Sequence, residues 1–457
     1  MGDTISRQVA RYAVNLKFED IPDDVIEQAK RFIYDSIGCA IGSMKTKDVN
    51  IIRDICIEMA GAPEATLIGF GDKMPAVNAA LVNSLMIRAL DFNDIYWKED
   101  PSHPSDIIPA ALSLAEKVNA SMKDVIVAIV LAYEFEQRLC EWGKPGIRER
   151  KWHHATLTQL VSPVAAGKVL GLNEDQMVNA IGISGCHNHT IGCPTAGKLT
   201  MMKNTVDPMS VQSGVFAALM AQKGYSGTEA IFEGKEGFKD VYGPDWDDSV
   251  LTEGLGKSFR IMTCSMKAFP TEALTHTHLS AAIKIVSDND IHHSDIKEVV
   301  ITTIARACDI LFDPHKYRPE SRETADHSLP YCIARALIDK QITTASFSDA
   351  KLKDPVLWEV IDKIKGVASL EFEKMFPAKQ PSKVLIRLND GREYEQYLEY
   401  PKGDPREPMT QSDLDNKFKG LAFEQASDEQ IQKMKKSIFS CDQLSARTFM
   451  RDMTLKT

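Results

Sequence analysis

The chain has 457 residues, of which 44% are hydrophobic and 7% aromatic, and this is enough apolar material for about one to three globular domains. Such a composition excludes a disordered chain, a collagen-like repeat and a small disulfide scaffold. The formal net charge of -10 also argues against a dedicated nucleic-acid binder, which presents a basic face.

The nine cysteines are scattered along the chain, without a C-x-x-C pair or another zinc-ribbon spacing. We therefore expect reduced thiols in a reducing compartment. The first residues lack the basic and apolar regions of a signal peptide. The longest apolar run, 125–133, is too short to span a bilayer. Together these features predict a cytoplasmic protein with no membrane partner.

Helical periodicity dominates the chain from residue 22 to about residue 225. Apolar residues recur at helical spacing over 25–40, after two aspartates that suit a helix N-terminus. The same pattern predicts helices over 76–89, 107–117, 125–140, 156–170, 175–184 and 209–223. The first half of the chain therefore predicts a helical bundle.

The pattern changes after residue 267. Residues 297–305 and 383–400 are β-branched or alternate in polarity, and Asn389-Asp390-Gly391 is a strong hairpin signal. Further helices are predicted over 329–339, 356–365 and, in the charged tail, 412–439. We predict a mainly α protein, with a large all-helical domain of residues 1–265 and 401–457 and a smaller α+β domain of residues 266–400.

The sequence contains neither a P-loop for nucleotide phosphates nor the nucleophile elbow of serine hydrolases. Leu251 stands where a P-loop needs its first glycine, and Cys186 stands where a nucleophile elbow needs its last. Two H-x-H pairs, at 187–189 and 276–278, raise a metal-site alternative. Alternate histidines diverge on a helix, and no carboxylate or cysteine completes a clear ligand set. We therefore expect no bound metal.

His103 lies in the segment ALDFNDIYWKEDPSHPSD, between two predicted helices. Loops on a rigid scaffold are where binding and catalytic side chains concentrate, and this one also carries Asp91, Asp94 and Asp106. In an alternative interpretation Asp106 caps the next helix, the other acids are solvated, and His103 is a loop histidine with satisfied hydrogen bonds.

The combination of LDFND and HPSD resembles the signature of the MmgE/PrpD family, which contains 2-methylcitrate dehydratases, cis-aconitate decarboxylases and an iminodisuccinate epimerase. The likeness continues in order through residues 21–43, 153–184, 201–227, 267–278 and 325–339. It implies abstraction of a proton next to a carboxylate, or loss of CO2 from that carbon, with neither a metal nor an organic cofactor. It also implies a homodimer whose active site lies in the cleft between the two domains.

The resemblance assigns roles to particular positions. The matching catalytic positions are Asp91, His103, His153, His154, Lys203, Lys267 and Tyr331. The matching substrate-binding positions are Arg322, Glu272, His276 and His327. Cations would hold two or three carboxylates, while His103 and His154 would be the acid/base pair. His153 is an alternative to His154, because each of the two aligns with a different branch of the family.

Departures from the family pattern bear on the reaction. Ile95 stands where the decarboxylases carry threonine, and Glu272 resembles the dehydratases, whereas Lys267 and His276 resemble the other branch. We expect dehydration of a citrate-like hydroxy acid, specifically 2-methylcitrate to 2-methylaconitate. The alternatives are cis-aconitate decarboxylation, dicarboxylate epimerisation, and an inactive homologue that only binds carboxylates.

Overall fold

The computed structural model describes residues 3–196 and 198–455. They form a mainly helical protein with a smaller α+β part, which confirms the predicted fold class. One hydrophobic core draws its residues from 5–266 and again from 409–453. A second core draws its residues from 273–388, with Trp97 reaching into it from the larger part.

Helices of the larger core come from both ends of the chain. The first part contains α1 (Ile5–Asn15), α2 (Asp23–Gly42), α3 (Lys47–Glu58), α4 (Ala76–Arg88), α5 (Ile108–Val118), α6 (Met122–Trp142), α7 (Ala155–Val169), α8 (Glu174–Gly185), α9 (Met202–Gln222), α10 (Phe238–Tyr242) and α11 (Ser249–Thr252). The smaller part contains α12 (His276–Asp288), α13 (Ala305–Leu311), α14 (Arg322–Ala325), α15 (Leu329–Asp339), α16 (Asp349–Leu352), α17 (Pro355–Ile361) and α18 (Leu370–Met375). The tail returns with α19 (Gln411–Ala422), α20 (Asp428–Phe439) and α21 (Ala446–Asp452).

Local sequence accounts for the boundaries of these helices. Capping boxes start α6 at Ser121 and α8 at Asn173, where a side chain three residues on bonds back to the cap. The helix predicted over 209–223 begins earlier in the structure, at Met202. The prediction began too late because Pro208, which lies inside this helix, interrupts the apolar pattern. Helices α7 and α9 pack so closely that a Cβ at Gly214 would lie 2.4 Å from the Cβ of Ser162.

In the described part of the chain, nine strands form three sheets. Their bounds are β1 (Ala65–Thr66), β2 (Lys73–Met74), β3 (Asp94–Trp97), β4 (Pro101–Ser102), β5 (Ser265–Met266), β6 (Ile296–Thr303), β7 (Ile364–Ala368), β8 (Ser382–Leu388) and β9 (Glu393–Leu398). The largest sheet has the order β7-β6-β8-β9, in which only the β6–β7 pair is parallel. The predicted hairpin at 389–391 joins β8 to β9 and is confirmed.

Two details of the smaller part differ from the sequence prediction. The helix predicted over 356–365 ends at Ile361, because Ile364 and the following residues pair with β6 as a parallel strand. The short strands were not predicted. One of them, β3, pairs with both β4 and β5 beside the junction of the two cores, and so fixes the loop that carries His103.

Among the described residues, no helix combines the length and the apolar character needed to cross a membrane. All nine cysteines are free thiols.

Candidate active site

Two adjoining cavities lie between the larger and the smaller core. The inner cavity has a volume of about 50 Å³, and its wall includes His103, His154 and Lys267. The outer cavity is larger, at about 790 Å³. Both cavities are lined by Arg148, Thr195, Ile310 and His327, so they share one wall. A ligand in one cavity would therefore contact residues that also line the other.

Asp91 is the centre of the charged cluster on the inner wall. Its backbone has φ 49°, in the left-handed region that aspartate tolerates better than most residues, and this turns the carboxylate inward. The carboxylate lies 2.5 Å from Arg88 Nη1, 2.7 Å from Lys267 Nζ and 3.3 Å from Lys203 Nζ. Burial alone would raise the pKa of Asp91, but Lys203, Lys267 and Arg88 hold it well below its usual value. Asp91 is therefore ionised and holds these cations in place.

His103 has a defined tautomer. Its Nδ1 lies 2.6 Å from the backbone carbonyl of Asp94, and since a carbonyl can only accept, Nδ1 carries the proton. Asp94 in turn accepts from the Ser105 hydroxyl at 2.6 Å, which fixes the loop. Burial, with Arg88 and Lys267 nearby, lowers the pKa of His103 well below its ordinary value. Nε2 of His103 is thus an unprotonated acceptor.

His154 lies beside a carboxylate, whereas His103 lies beside a backbone carbonyl. Its Nε2 lies 3.4 Å from the Asp207 carboxylate, and both side chains are buried. Burial alone would raise the pKa of Asp207, but the adjacent His154 lowers it below the usual range. The ring of His154 is centred 5.5 Å from that of His103. His153 lies behind, with its ring centred 4.0 Å from His154 and its Nδ1 accepting from the Ala155 N–H.

Three further predicted residues surround these histidines. Lys267 lines the inner cavity and also donates to the Thr271 carbonyl at 3.0 Å. Glu272 accepts from the Leu274 N–H at 2.7 Å, and burial raises the pKa of its carboxyl group to about 7. His327 lies on the shared wall, with Nδ1 2.6 Å from the Asp326 carboxylate. Burial lowers the pKa of His327 to about 4.

Three predicted positions lie apart from the inner cavity. The Tyr331 hydroxyl is buried in the smaller core, where it donates to the Ser346 carbonyl at 2.7 Å. His276 is buried against Phe269, with its Nε2 3.3 Å from the Thr271 carbonyl. Arg322 lines a different cavity, of about 340 Å³. The structure therefore does not place these three side chains beside the histidine pair.

Sequence reasoning missed Arg88, Arg148, Asp207 and Lys316. Two of them had a signal, because Arg88 stands three residues before Asp91 and Asp207 stands four residues after Lys203, which is neighbouring spacing on a helix. Arg148 and Lys316 reach the site only through the tertiary fold, so no local pattern could have identified them.

Two groups of potential metal ligands converge here. One group is His153, His154 and Asp207, and the other is Asp91, Asp326 and His327. Each group already lies beside a protein cation, since Arg88 Nε is 4.0 Å from Asp207 and Lys203 Nζ is 3.3 Å from Asp91. A metal ion would have to compete with these cations, and the expected absence of metal stays a prediction.

The fold and the cavities define a helical protein with a histidine- and cation-lined cleft between two cores. Residues 7–250 match the family model of the MmgE/PrpD N-terminal domain, and residues 269–442 match that of the C-terminal domain. The chain therefore belongs to the MmgE/PrpD family.

Curated relatives cover nearly the whole chain. The cis-aconitate decarboxylase of Aspergillus terreus (strain NIH 2624 / FGSC A1156) is 27% identical over 96% of this chain and 94% of its own. The cis-aconitate decarboxylase of Homo sapiens is 26% identical, over 97% of this chain and 93% of its own. The 2-methylcitrate dehydratase of Cupriavidus necator is 24% identical, over 83% of this chain and 82% of its own.

Proposed function

We propose that the protein is a lyase that removes water from a citrate-like tricarboxylate, with 2-methylcitrate to 2-methylaconitate as the preferred reaction. The observation that carries this proposal is the pair of His103 and His154, whose ring centroids lie 5.5 Å apart beside the inner cavity. A carbonyl partner leaves His103 with a free lone pair on Nε2, whereas His154 has the Asp207 carboxylate beside its Nε2, at 3.4 Å. Environments that differ in this way separate a base from an acid.

The proposed reaction follows from this difference. Nε2 of His103 takes a proton from the carbon next to a substrate carboxylate. The electron pair of that C–H bond forms the C=C bond as the C–O bond of the neighbouring carbon breaks. His154 gives its proton to the leaving hydroxyl group, which departs as water. Each transfer needs a group of suitable protonation within hydrogen-bond reach, and that is what the two histidines offer.

Charge on the substrate is balanced by the cations of the inner wall. Lys267 and Arg88 lie on that wall, where they would stabilise the negative charge that develops next to the carboxylate. Glu272, when neutral, would donate a hydrogen bond to a substrate carboxylate instead of repelling it. Asp91 holds the two cations at fixed positions, and such preorganisation favours the transition state over the free substrate.

The reaction is tested by offering the purified protein 2-methylcitrate, citrate and cis-aconitate separately and identifying products by mass spectrometry. We expect loss of water from 2-methylcitrate and no such loss with His103→Asn. As a matched control, His292→Asn changes an exposed histidine of the smaller part and should retain full activity. Loss of CO2 from cis-aconitate, without dehydration of 2-methylcitrate, would overturn the dehydratase assignment.

That outcome defines a second candidate, cis-aconitate decarboxylation. It is favoured by the comparison, because the decarboxylase of Aspergillus terreus matches this chain at 27% over 96% of its length, more than the dehydratase of Cupriavidus necator does. In this reaction CO2 leaves and a histidine protonates the carbon. The apolar Ile95 on the inner wall, where the resemblance calls for threonine, weighs against it.

We also propose that the protein is a homodimer and that it is located in the cytoplasm. A stripe on α9 supports the dimer, since Met202, Met209 and Phe216 recur every seven residues and are 45%, 44% and 55% exposed. Light scattering on the wild type and on Phe216→Glu tests it. We expect a dimer mass for the wild type and a shift towards monomer for the variant.

A further inference from the structure

Two cations on the cavity walls form no ion pair with any carboxylate that the structure describes. Arg148 lines both cavities, and Lys316 lines the outer one. Lys316 is only 4% exposed. Across the described ranges, no carboxylate forms an ion pair with either side chain.

The neighbouring cations differ in this respect. Lys267 and Lys203 of the inner cluster contact Asp91, and on the outer rim Arg306 lies 2.8 Å from Glu149. Each of these cations therefore has a carboxylate partner within the protein.

Burying a cation without a partner is unfavourable, because the low-dielectric interior stabilises charge less than water does. In agreement with this, burial lowers the pKa of both Lys316 and Arg148. Of the acids on the outer wall, Glu149 and Asp309 are exposed, where water screens them, and Asp313 and Glu373 are half-buried. Asp326, Glu272 and Asp313 attract Lys316 without forming an ion pair with it. An anion in the cavity would supply the partner that the protein withholds.

Both side chains are held by the fold. Asp100 accepts from the backbone N–H groups of Ile147 and Arg148, at 2.8 and 2.9 Å, and so fixes the loop that carries the guanidinium group. Lys316 lies in the 3-10 turn Pro314–Tyr317, and its backbone carbonyl accepts from the Ser328 hydroxyl at 2.5 Å. Hydrogen bonds thus fix the backbone that carries each of the two cations.

The size of the inner cavity shows how far a substrate must extend. At about 50 Å³ it is much smaller than the adjoining outer cavity of about 790 Å³. A six-carbon acid that reaches the histidine pair would therefore extend past the shared wall, where Arg148 lies.

We propose that Arg148 and Lys316 form an outer carboxylate subsite, which binds the carboxylate farthest from the histidine pair and selects tricarboxylates over dicarboxylates. This inference rests on the proposed function. It assigns the selection to the wall that the two cavities share and to the outer cavity beyond it.

The test uses two unreactive acids, propane-1,2,3-tricarboxylate and succinate, with calorimetric titration of the full-length protein. We expect the wild type to prefer the tricarboxylate and Lys316→Met to reduce that preference about ten-fold, as loss of a hydrogen bond to a charged group does. Lys316→Arg should restore most of it. Lys374→Met, which removes the same charge from an exposed position on α18, should leave the preference unchanged.

Arg148→Gln provides a second variant, for the case that Lys316→Met does not fold. We expect it to reduce the preference in the same direction. An unchanged preference in folded Lys316→Met or Arg148→Gln protein, or an equal weakening of both acids, would overturn the subsite alone. A wild-type protein that binds neither acid would overturn the proposed function as well.

Discussion

Nε2 of His154 lies 3.4 Å from Oδ2 of Asp207, and both groups are shielded from solvent. Asp207 stands one helical turn after Lys203 on α9, while His154 immediately precedes α7. The close packing of α7 on α9 therefore sets the geometry of the proposed acid. The same helix α9 presents Lys203 to Asp91.

Replacing Asp207 with asparagine should remove the negative charge that lies 3.4 Å from His154 Nε2 while keeping the side-chain volume. We expect kcat to fall about 10²-fold or more, which is the usual contribution of a positioned acid or base. KM should change little. Steady-state kinetics of the wild type and the variant, measured side by side, check this. An unchanged kcat would show that Asp207 has no such role.

Glu272 should make substrate binding depend on pH. Burial raises the pKa of its carboxyl group to about 7, so the group is neutral below that pH and charged above it. Once charged, it repels a substrate carboxylate, and KM should rise between about pH 7 and pH 8. Glu272→Gln should flatten this rise. KM values that change in parallel for both proteins would contradict the role of Glu272.

The same carboxyl group should also affect stability. Its pKa in the folded protein, about 7, lies above the ordinary value of 4.5, so its contribution is complete below about pH 4.5 and is lost as pH rises through 7. Integrated over that interval, the loss is about 3 kcal/mol. Urea unfolding at pH 5 and pH 8 should show the wild type losing stability relative to Glu272→Gln. A difference that does not depend on pH would be inconsistent with this shift.

Asp91 should be essential for stability as well as for chemistry. Asp91→Asn leaves Arg88, Lys203 and Lys267 buried together without their shared carboxylate. Breaking a buried ion pair from one side destabilises proteins by about 3 kcal/mol or more. Asp290→Asn, at a side chain that is 98% exposed, is the matched control and should change little. Equal unfolding free energies for the two variants would refute the argument.

The absence of a metal requirement is open to direct measurement. We expect protein dialysed against a chelator to keep its activity, with less than stoichiometric zinc or iron by elemental analysis. Loss of activity on dialysis, restored by one metal, would place an ion at one of the two ligand groups around Asp207 and Asp91.

Much of the fold followed from local patterns. The periodicity of α2 and α6 and the turn at 389–391 predicted elements that the structure contains, because each is determined by residues close in sequence. The strand β7 escaped prediction, since its pairing with β6 comes from a distant segment. The family resemblance predicted positions around the cleft, among them Asp91, His103 and Lys267.

The site was predicted less completely for the same physical reason. Tyr331 is surrounded by hydrophobic residues and donates to a backbone carbonyl. Both contacts depend on the tertiary fold, so the sequence around Tyr331 does not reveal them. Arg148 and Lys316 come from loops far apart in the chain, and they become neighbours of the cavity only when the two cores pack.

In the proposed reaction His103 exchanges a proton with the carbon beside a substrate carboxylate during gain or loss of water. This exchange can be measured by NMR of 2-methylaconitate incubated with the protein in heavy water. We expect formation of 2-methylcitrate with one deuterium on that carbon, and no formation with His103→Asn. Release of CO2 in place of hydration, or full activity of His103→Asn, would contradict it.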